Sequence, residues 1–159
     1  MIWIGEIGNE FLLQLLMNNT GRLLLCSEGG HCDLALAAMD LMRPKKAQRE
    51  ICAVGRIYSA ALPVFACGSR RFCTENARFM WHGSGYVDKS RNTAGILRQE
   101  LPELERYDAI MTKQLAMATK RSAKEWRKLA EHGDHYFGAE EALAMGLVHK
   151  ILADPTADR

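Results

Sequence analysis

Short, continuously apolar runs alternate with longer segments of helical spacing along this chain, and that alternation restricts the fold more than any other feature. Phe11, Leu12, Leu15 and Leu16 recur with helical spacing, and Gly21 closes that segment. Leu23-Leu24-Leu25-Cys26 then reads as a buried strand that runs into a turn at Ser27-Glu28-Gly29-Gly30. From Cys32 to Met42 the spacing of Leu34, Ala38, Leu41 and Met42 predicts a helix. Pro44 stops it, because the residue before a proline is pushed out of the helical region. A second strand, Ile51-Cys52-Ala53-Val54, meets Gly55, and a helix is expected from near Ser59 to a stop at Gly68, with Pro63 tolerated beside its first turn. Short strands are predicted over 70–73 and 77–81, the second delivering His82 to its end and to a loop at Gly83-Ser84-Gly85.

The second half of the chain is mostly helical in pattern. Leu97, Leu101, Leu104, Met111 and Leu115 sit near heptad spacing, predicting a long amphipathic helix from Ala94 to Ala118 with a kink at Pro102. Ser122, with Glu125 three residues on, predicts a capping box for a helix reaching Ala130, and Gly133 ends it. A short helix over 139–145, stopped by Gly146, and a strand over 147–151 complete the pattern. Strands and helices in alternation imply an α/β fold with crossover connections. No linker or internal repeat divides the 159 residues, so one domain over 1–159 is expected.

Charge and cysteine usage narrow the function classes. A net charge of +2, with no basic run beyond Arg43-Pro44-Lys45-Lys46 and Lys120-Arg121, is too little for a nucleic-acid groove. Five cysteines without a CxxC pair read as reduced thiols, and Cys26 and Cys52 fall in predicted buried strands as inert packing residues. The segment Met1-Ile2-Trp3-Ile4-Gly5-Glu6 lacks the cationic start of a signal peptide, and no run approaches the ~20 apolar residues of a membrane span. A cytoplasmic protein without a membrane or nucleic-acid partner is expected.

Three strand-end or loop positions carry reactive side chains: Ser59, His82 and Asp134. Taken singly they read as a helix cap, a structural histidine and a turn aspartate. Taken together they supply a hydroxyl, a base to activate it and a carboxylate to hold the base's tautomer. Ala60 N–H would lie at the positive end of the helix after Ser59, and Gly29-Gly30 would let another backbone N–H approach a substrate carbonyl. The segment Gly55-Arg56-Ile57-Tyr58-Ser59-Ala60-Ala61 lacks the G-x-S-x-G elbow of α/β-hydrolases, and neither phosphate-binding glycine pattern occurs. His132, Asp134 and His135 lack the spacing of a metal site, so no metal is expected.

These segments resemble the ClpP-type serine peptidases, the proteolytic subunit family of the ATP-dependent Clp protease. Ser27-Glu28-Gly29-Gly30 is similar to the family's Ser-Pro-Gly-Gly turn, Gly55 to Ala61 to its Gly-x-Ala-Ala-Ser segment, and Ala77 to His82 to its Arg-x-Met-x-His strand. Gly133-Asp134 through Gly146-Leu147-Val148 is similar to its closing Asp-x-x-x-x-Ala-x-Glu-Ala-x-x-x-Gly-Leu-Val pattern. Glu28 stands where the family carries proline, and Arg56 and Tyr58 stand where it carries small residues. The resemblance implies a repeated β-β-α spiral core with the long helix as a protruding handle. It implies Ser59 as nucleophile, His82 as base, Asp134 as its orienting group, and an oxyanion hole from Ala60 and the Gly29-Gly30 pair. It further implies peptide-bond hydrolysis without cofactor, unfolded polypeptide or peptide as substrate, a homo-oligomer of stacked heptameric rings, and an AAA+ unfoldase as partner. The alternatives are a crotonase-like CoA-thioester enzyme and a non-catalytic ring subunit. The first leaves the Ser59–His82 pairing without a role, and the second has no need of an intact triad.

Overall fold

The computed structural model describes residues 1–18, 21–43, 49–85 and 93–156. Its elements in chain order are β1 (Ile2–Ile4), α1 (Asn9–Met17), β2 (Arg22–Ser27), α2 (Cys32–Met42), β3 (Glu50–Tyr58), α3 (Ala61–Phe65), β4 (Arg70–Thr74), β5 (Arg78–Trp81), α4 (Ala94–Ala118), α5 (Ala123–Ala130), β6 (His135–Gly138), α6 (Ala139–Ala144) and β7 (Lys150–Leu152). The sheet is parallel along β1-β2-β3-β4-β7, while β5 pairs parallel with β3 and β6 pairs antiparallel with β5. Mixed α/β architecture with a parallel sheet is thus the fold.

Strand β3 is the hub, because its free edge is shared. Its first half, Glu50 to Ala53, pairs with β4, and its last three residues, Arg56 to Tyr58, pair with β5. Between the halves Gly55 adopts φ +74, and the register against β2 slips between Leu25 and Ser27. A glycine here permits a bulge that redirects the strand. The expected strand end at Gly55 is therefore a bend inside a nine-residue strand. On the core side Leu23, Leu25 and Ser27 of β2 meet Ile51, Ala53 and Ile57 of β3, all buried. Cys52 and Cys73 are buried thiols, and burial pushes Cys52 up to about 11 and Cys73 up to about 12. Cys26, expected to be buried, is only half-buried because it lies on the opposite face of β2 from Leu25.

Helix α2 has the expected bounds; Pro44, its predicted stop, lies outside the described residues. Helix α4 also has the expected bounds and continues through Pro102. Its apolar stripe divides. Met111 and Leu115 are buried against the body, whereas Leu97 and Leu101 are about half exposed, at 48% and 54%. The predicted capping box of α5 is present, with Ser122 and Glu125 each bonding the other's backbone N–H. Strands β1 and β6 are additions to the predicted set, and both take their form from a neighbouring strand.

The last predicted strand begins three residues late, at Lys150. Leu147 and Val148 N–H turn back to Ala142 O, and Arg71, a buried guanidinium, donates to the carbonyls of Gly68 (2.9 Å), Ala118 (3.0 Å), Gly146 (3.2 Å) and Leu147 (2.7 Å). Leu147 O therefore serves the side chain of β4, and the arginine ties the C-terminal end of α4 to the chain after α6. Its backbone N–H donates to His149 Nδ1 at 2.9 Å, so that imidazole must be neutral at Nδ1. Arg71→Met is expected to cost about 2–4 kcal/mol in urea unfolding, since four carbonyls, two of them in buried bonds, lose their donor. Burial, then the charges of Arg71 and Arg70, lower the His149 pKa. The unfolded imidazole binds a proton more readily than the folded one, so acidification favours unfolding. The stabilisation is complete above the ordinary histidine value of about 6.5 and declines as pH falls through the lowered folded value. His149→Asn should flatten that acid-side slope in melting curves recorded across this range.

Candidate active site

The C-terminal ends of β3 and β5 and the turn after β2 meet at one edge of the sheet. Ser59 follows β3 directly and is the one described non-glycine residue with positive φ, at +53. It does not begin or cap the helix, contrary to the expected start near Ser59: the cap position is Ala60, without a side-chain cap bond, and α3 starts at Ala61. The cause is a long-range bond. Ser59 N–H donates to Met80 O of β5 at 2.9 Å, which holds the chain in a turn before the helix can form. Left-handed backbone at a non-glycine residue is sterically costly and persists only where surroundings over-determine it.

Ser59, Ala60, Gly30 and His82 line one small cavity of about 140 Å³, with Cys32, Trp81, Ser84 and Met111. Ser59 and His82 share this cavity without a hydrogen bond between their side chains. A cleft of about 830 Å³ between α2 and α4 contains none of the predicted site residues.

The glycine turn is wedged against the serine. A Cβ on Gly29 would stand 2.8 Å from Ser59 Cβ, 2.9 Å from Tyr58 O and 3.1 Å from Ala60 N. Gly29 N–H donates to Ser27 Oγ at 3.1 Å, and Gly29 O accepts from Ile7 N–H at 2.6 Å, so both its polar groups are engaged inside the fold. Gly30 N–H and Ala60 N–H bond no described residue, and both residues border the cavity. Of the predicted glycine pair, Gly30 is thus the one with a backbone donor to offer.

Asp134 is not among the cavity residues. It is exposed, directly before β6, and its Oδ2 accepts from Tyr136 Oη–H at 3.2 Å. The β5–β6 ladder ends at Trp81↔His135, and one further antiparallel step would set Asp134 opposite His82. Residues directly opposite in such a ladder point to the same face. The ladder stops short of that step, and the Asp134 carboxylate is turned to Tyr136.

Sequence reasoning missed the residues that hold the His82 loop. Ser84 N–H donates to Asp108 Oδ1 at 2.8 Å, and the Cys32 thiol donates to Ser84 Oγ at 3.8 Å. Burial raises the pKa of Cys32, so the group stays a thiol. Trp81 is fixed by its Nε1–H to Trp126 O at 3.0 Å, and Trp126 Nε1–H donates in turn to Thr119 Oγ1 at 3.0 Å. Among the described residues no group of three or more His, Cys, Asp or Glu converges as a metal centre, and no helix is long and apolar enough to cross a membrane.

This scaffold is shared with the ClpP peptidases: a mutant ClpP1 of Listeria monocytogenes matches it with a TM-score of 0.81, over 98% of this chain and 91% of that one, at 23% identity. The family model for Clp protease matches residues 10–155, and the chain belongs to the Clp protease family. Proteolytic subunit 3 of the ATP-dependent Clp protease of Rhizobium meliloti is 27% identical over 135 residues, 82% of this chain and 67% of that one. Proteolytic subunit 1 of Corynebacterium diphtheriae is 26% identical over 152 residues, 91% of this chain and 72% of its own length.

Proposed function

We propose that this chain is a serine peptidase that cleaves unfolded polypeptides or peptides through an acyl-enzyme. Ser59 Oγ attacks the scissile carbonyl carbon while His82 takes its proton. The carbonyl oxygen, now anionic, receives Gly30 N–H and Ala60 N–H. Collapse of the tetrahedral intermediate breaks the C–N bond as His82 returns the proton to the leaving amine, and water then releases the ester by the same route. Asp134 orients the imidazole once its carboxylate exchanges Tyr136 for His82; catalytic hydrogen bonds are often unformed before substrate binds. The observation that carries this reading is a strained Ser59 sharing one cavity with His82 and two unengaged backbone donors.

A homo-oligomeric chamber is part of the proposal. Clp protease family members form oligomeric rings and work with Clp ATPases. In this chain large apolar side chains are exposed on β1 and α1 (Ile2, Ile4, Leu13, Leu16, Met17) and on the first half of α4 (Leu97, Leu101), as surfaces awaiting a partner would be. A fluorophosphonate probe is expected to label Ser59, with the adduct mapped by peptide mass spectrometry, and Ser59→Ala should abolish labelling and peptide cleavage together. Labelling at another residue, or cleavage that survives this change, overturns the assignment.

A further inference from the structure

Two residues that depart from the family pattern meet each other. Arg56 Nη2 donates to Glu28 Oε2 at 3.0 Å, across the ends of β2 and β3. We propose that the Glu28–Arg56 pair is a positioning tether that holds the glycine turn, and with it the Gly30 N–H, against the Ser59 turn. The inference rests on the peptidase reading for its catalytic consequence, and on geometry alone for its structural one.

Backbone pairing is interrupted just before this side-chain link. Between Leu25 and Ser27 the β2–β3 register slips, and Ser27↔Ile57 is the last pair before the turn. Glu28 follows at once, and Arg56 lies one residue before that last partner. Arg56 is itself held by pairing with Arg78 of β5, so it offers a fixed anchor. A proline in the turn would restrict its backbone covalently; glutamate does not, and a link to the neighbouring strand restores restraint. The arginine also neutralises a carboxylate one residue from Gly29, where negative charge develops during acyl transfer. The carboxylate's own backbone N–H and then Arg56 lower the Glu28 pKa, keeping the pair ionised at neutral pH. Both side chains are about half exposed, at 52% and 53%, so salt should weaken the link.

The test compares wild type, Glu28→Gln, Arg56→Gln and the double variant on a short fluorogenic peptide at low and high salt, with hydrogen exchange followed at 27–31. Each single variant is expected to lose about threefold to tenfold in kcat with KM held within about twofold, as a misplaced donor rather than a lost binding contact would produce. The double variant should lose no more than either single, because one interaction is being removed. High salt should bring wild type toward the variants and leave Glu28→Gln unchanged. Exchange at 27–31 should accelerate in all three variants. Wild-type kcat and exchange in the single variants, or losses that add in the double, overturn the tether. If wild type neither cleaves peptide nor takes the fluorophosphonate, the peptidase reading fails, and the exchange rates alone decide the tether.

Discussion

Replacing His82 with alanine is expected to lower kcat on a short fluorogenic peptide by about 10⁴- to 10⁶-fold, because a serine hydroxyl without a base is a very weak nucleophile. His82 and Ser59 border the same cavity, and among the residues lining it His82 is the only imidazole. Cys32 is no substitute, since its thiol donates to Ser84 Oγ and burial holds it protonated. The Ser59→Ala/His82→Ala double variant should be no slower than Ser59→Ala alone, as groups that act as a unit lose their effect together. The fold should survive. His82 is half-buried and hydrogen-bonds no described residue, so its removal takes away little packing and leaves no buried polar partner stranded. A His82→Ala protein that melts like wild type and keeps kcat within about tenfold would remove His82 from the chemistry.

The parts of the fold that were legible in the sequence are those fixed by local pattern. Helix α2, helix α4 and the Ser122–Glu125 capping box follow from apolar spacing and end signals within a dozen or so residues. Strand β6 escaped because His135-Tyr136-Phe137-Gly138 has a single fully buried residue, Phe137, and no apolar run; it is a strand because β5 lies beside it. Strand β1 escaped for a related reason: it is three residues long, with Ile2 and Ile4 exposed, and pairs only with β2. Gly55 reads as a stop by propensity, yet bends β3 so that its free edge serves two strands in turn.

The candidate site divides in the same way. Ser59 and His82 were reachable as residues at strand ends. The left-handed turn at Ser59 was not, since it depends on a bond to Met80, 21 residues away. Asp108 was invisible because its charge sits on an otherwise ordinary helical face, and its role comes from the loop that folds back onto it. The choice between Gly29 and Gly30 as donor likewise required seeing that Ser27 Oγ already accepts from Gly29. Glu28 and Arg56 were two unrelated departures in the sequence; the end of the β2–β3 pairing makes them partners.

Gly29→Ala is the second substitution with a large expected effect: about 2–4 kcal/mol of stability and at least about a hundredfold in kcat. The added methyl would enter at 2.8 Å from Ser59 Cβ, 2.9 Å from Tyr58 O and 3.1 Å from Ala60 N, none of which is the end of a flexible side chain. Its φ of +106 is also outside what an L-residue with a Cβ comfortably adopts. Relief requires the glycine turn to move away from the Ser59 turn, and that displacement separates Gly30 N–H from Ala60 N–H, the two donors proposed to converge on one oxygen. Gly95→Ala is the control. It lies in α4, with nothing within 4 Å of its added carbon and no positive φ, so it should leave kcat unchanged and raise helix stability by about 1 kcal/mol at most. Urea unfolding and peptide hydrolysis measured on both variants check the contrast. If Gly29→Ala unfolds and turns over as Gly95→Ala does, the turn is free to yield, and its close packing on Ser59 is not what sets the donor geometry.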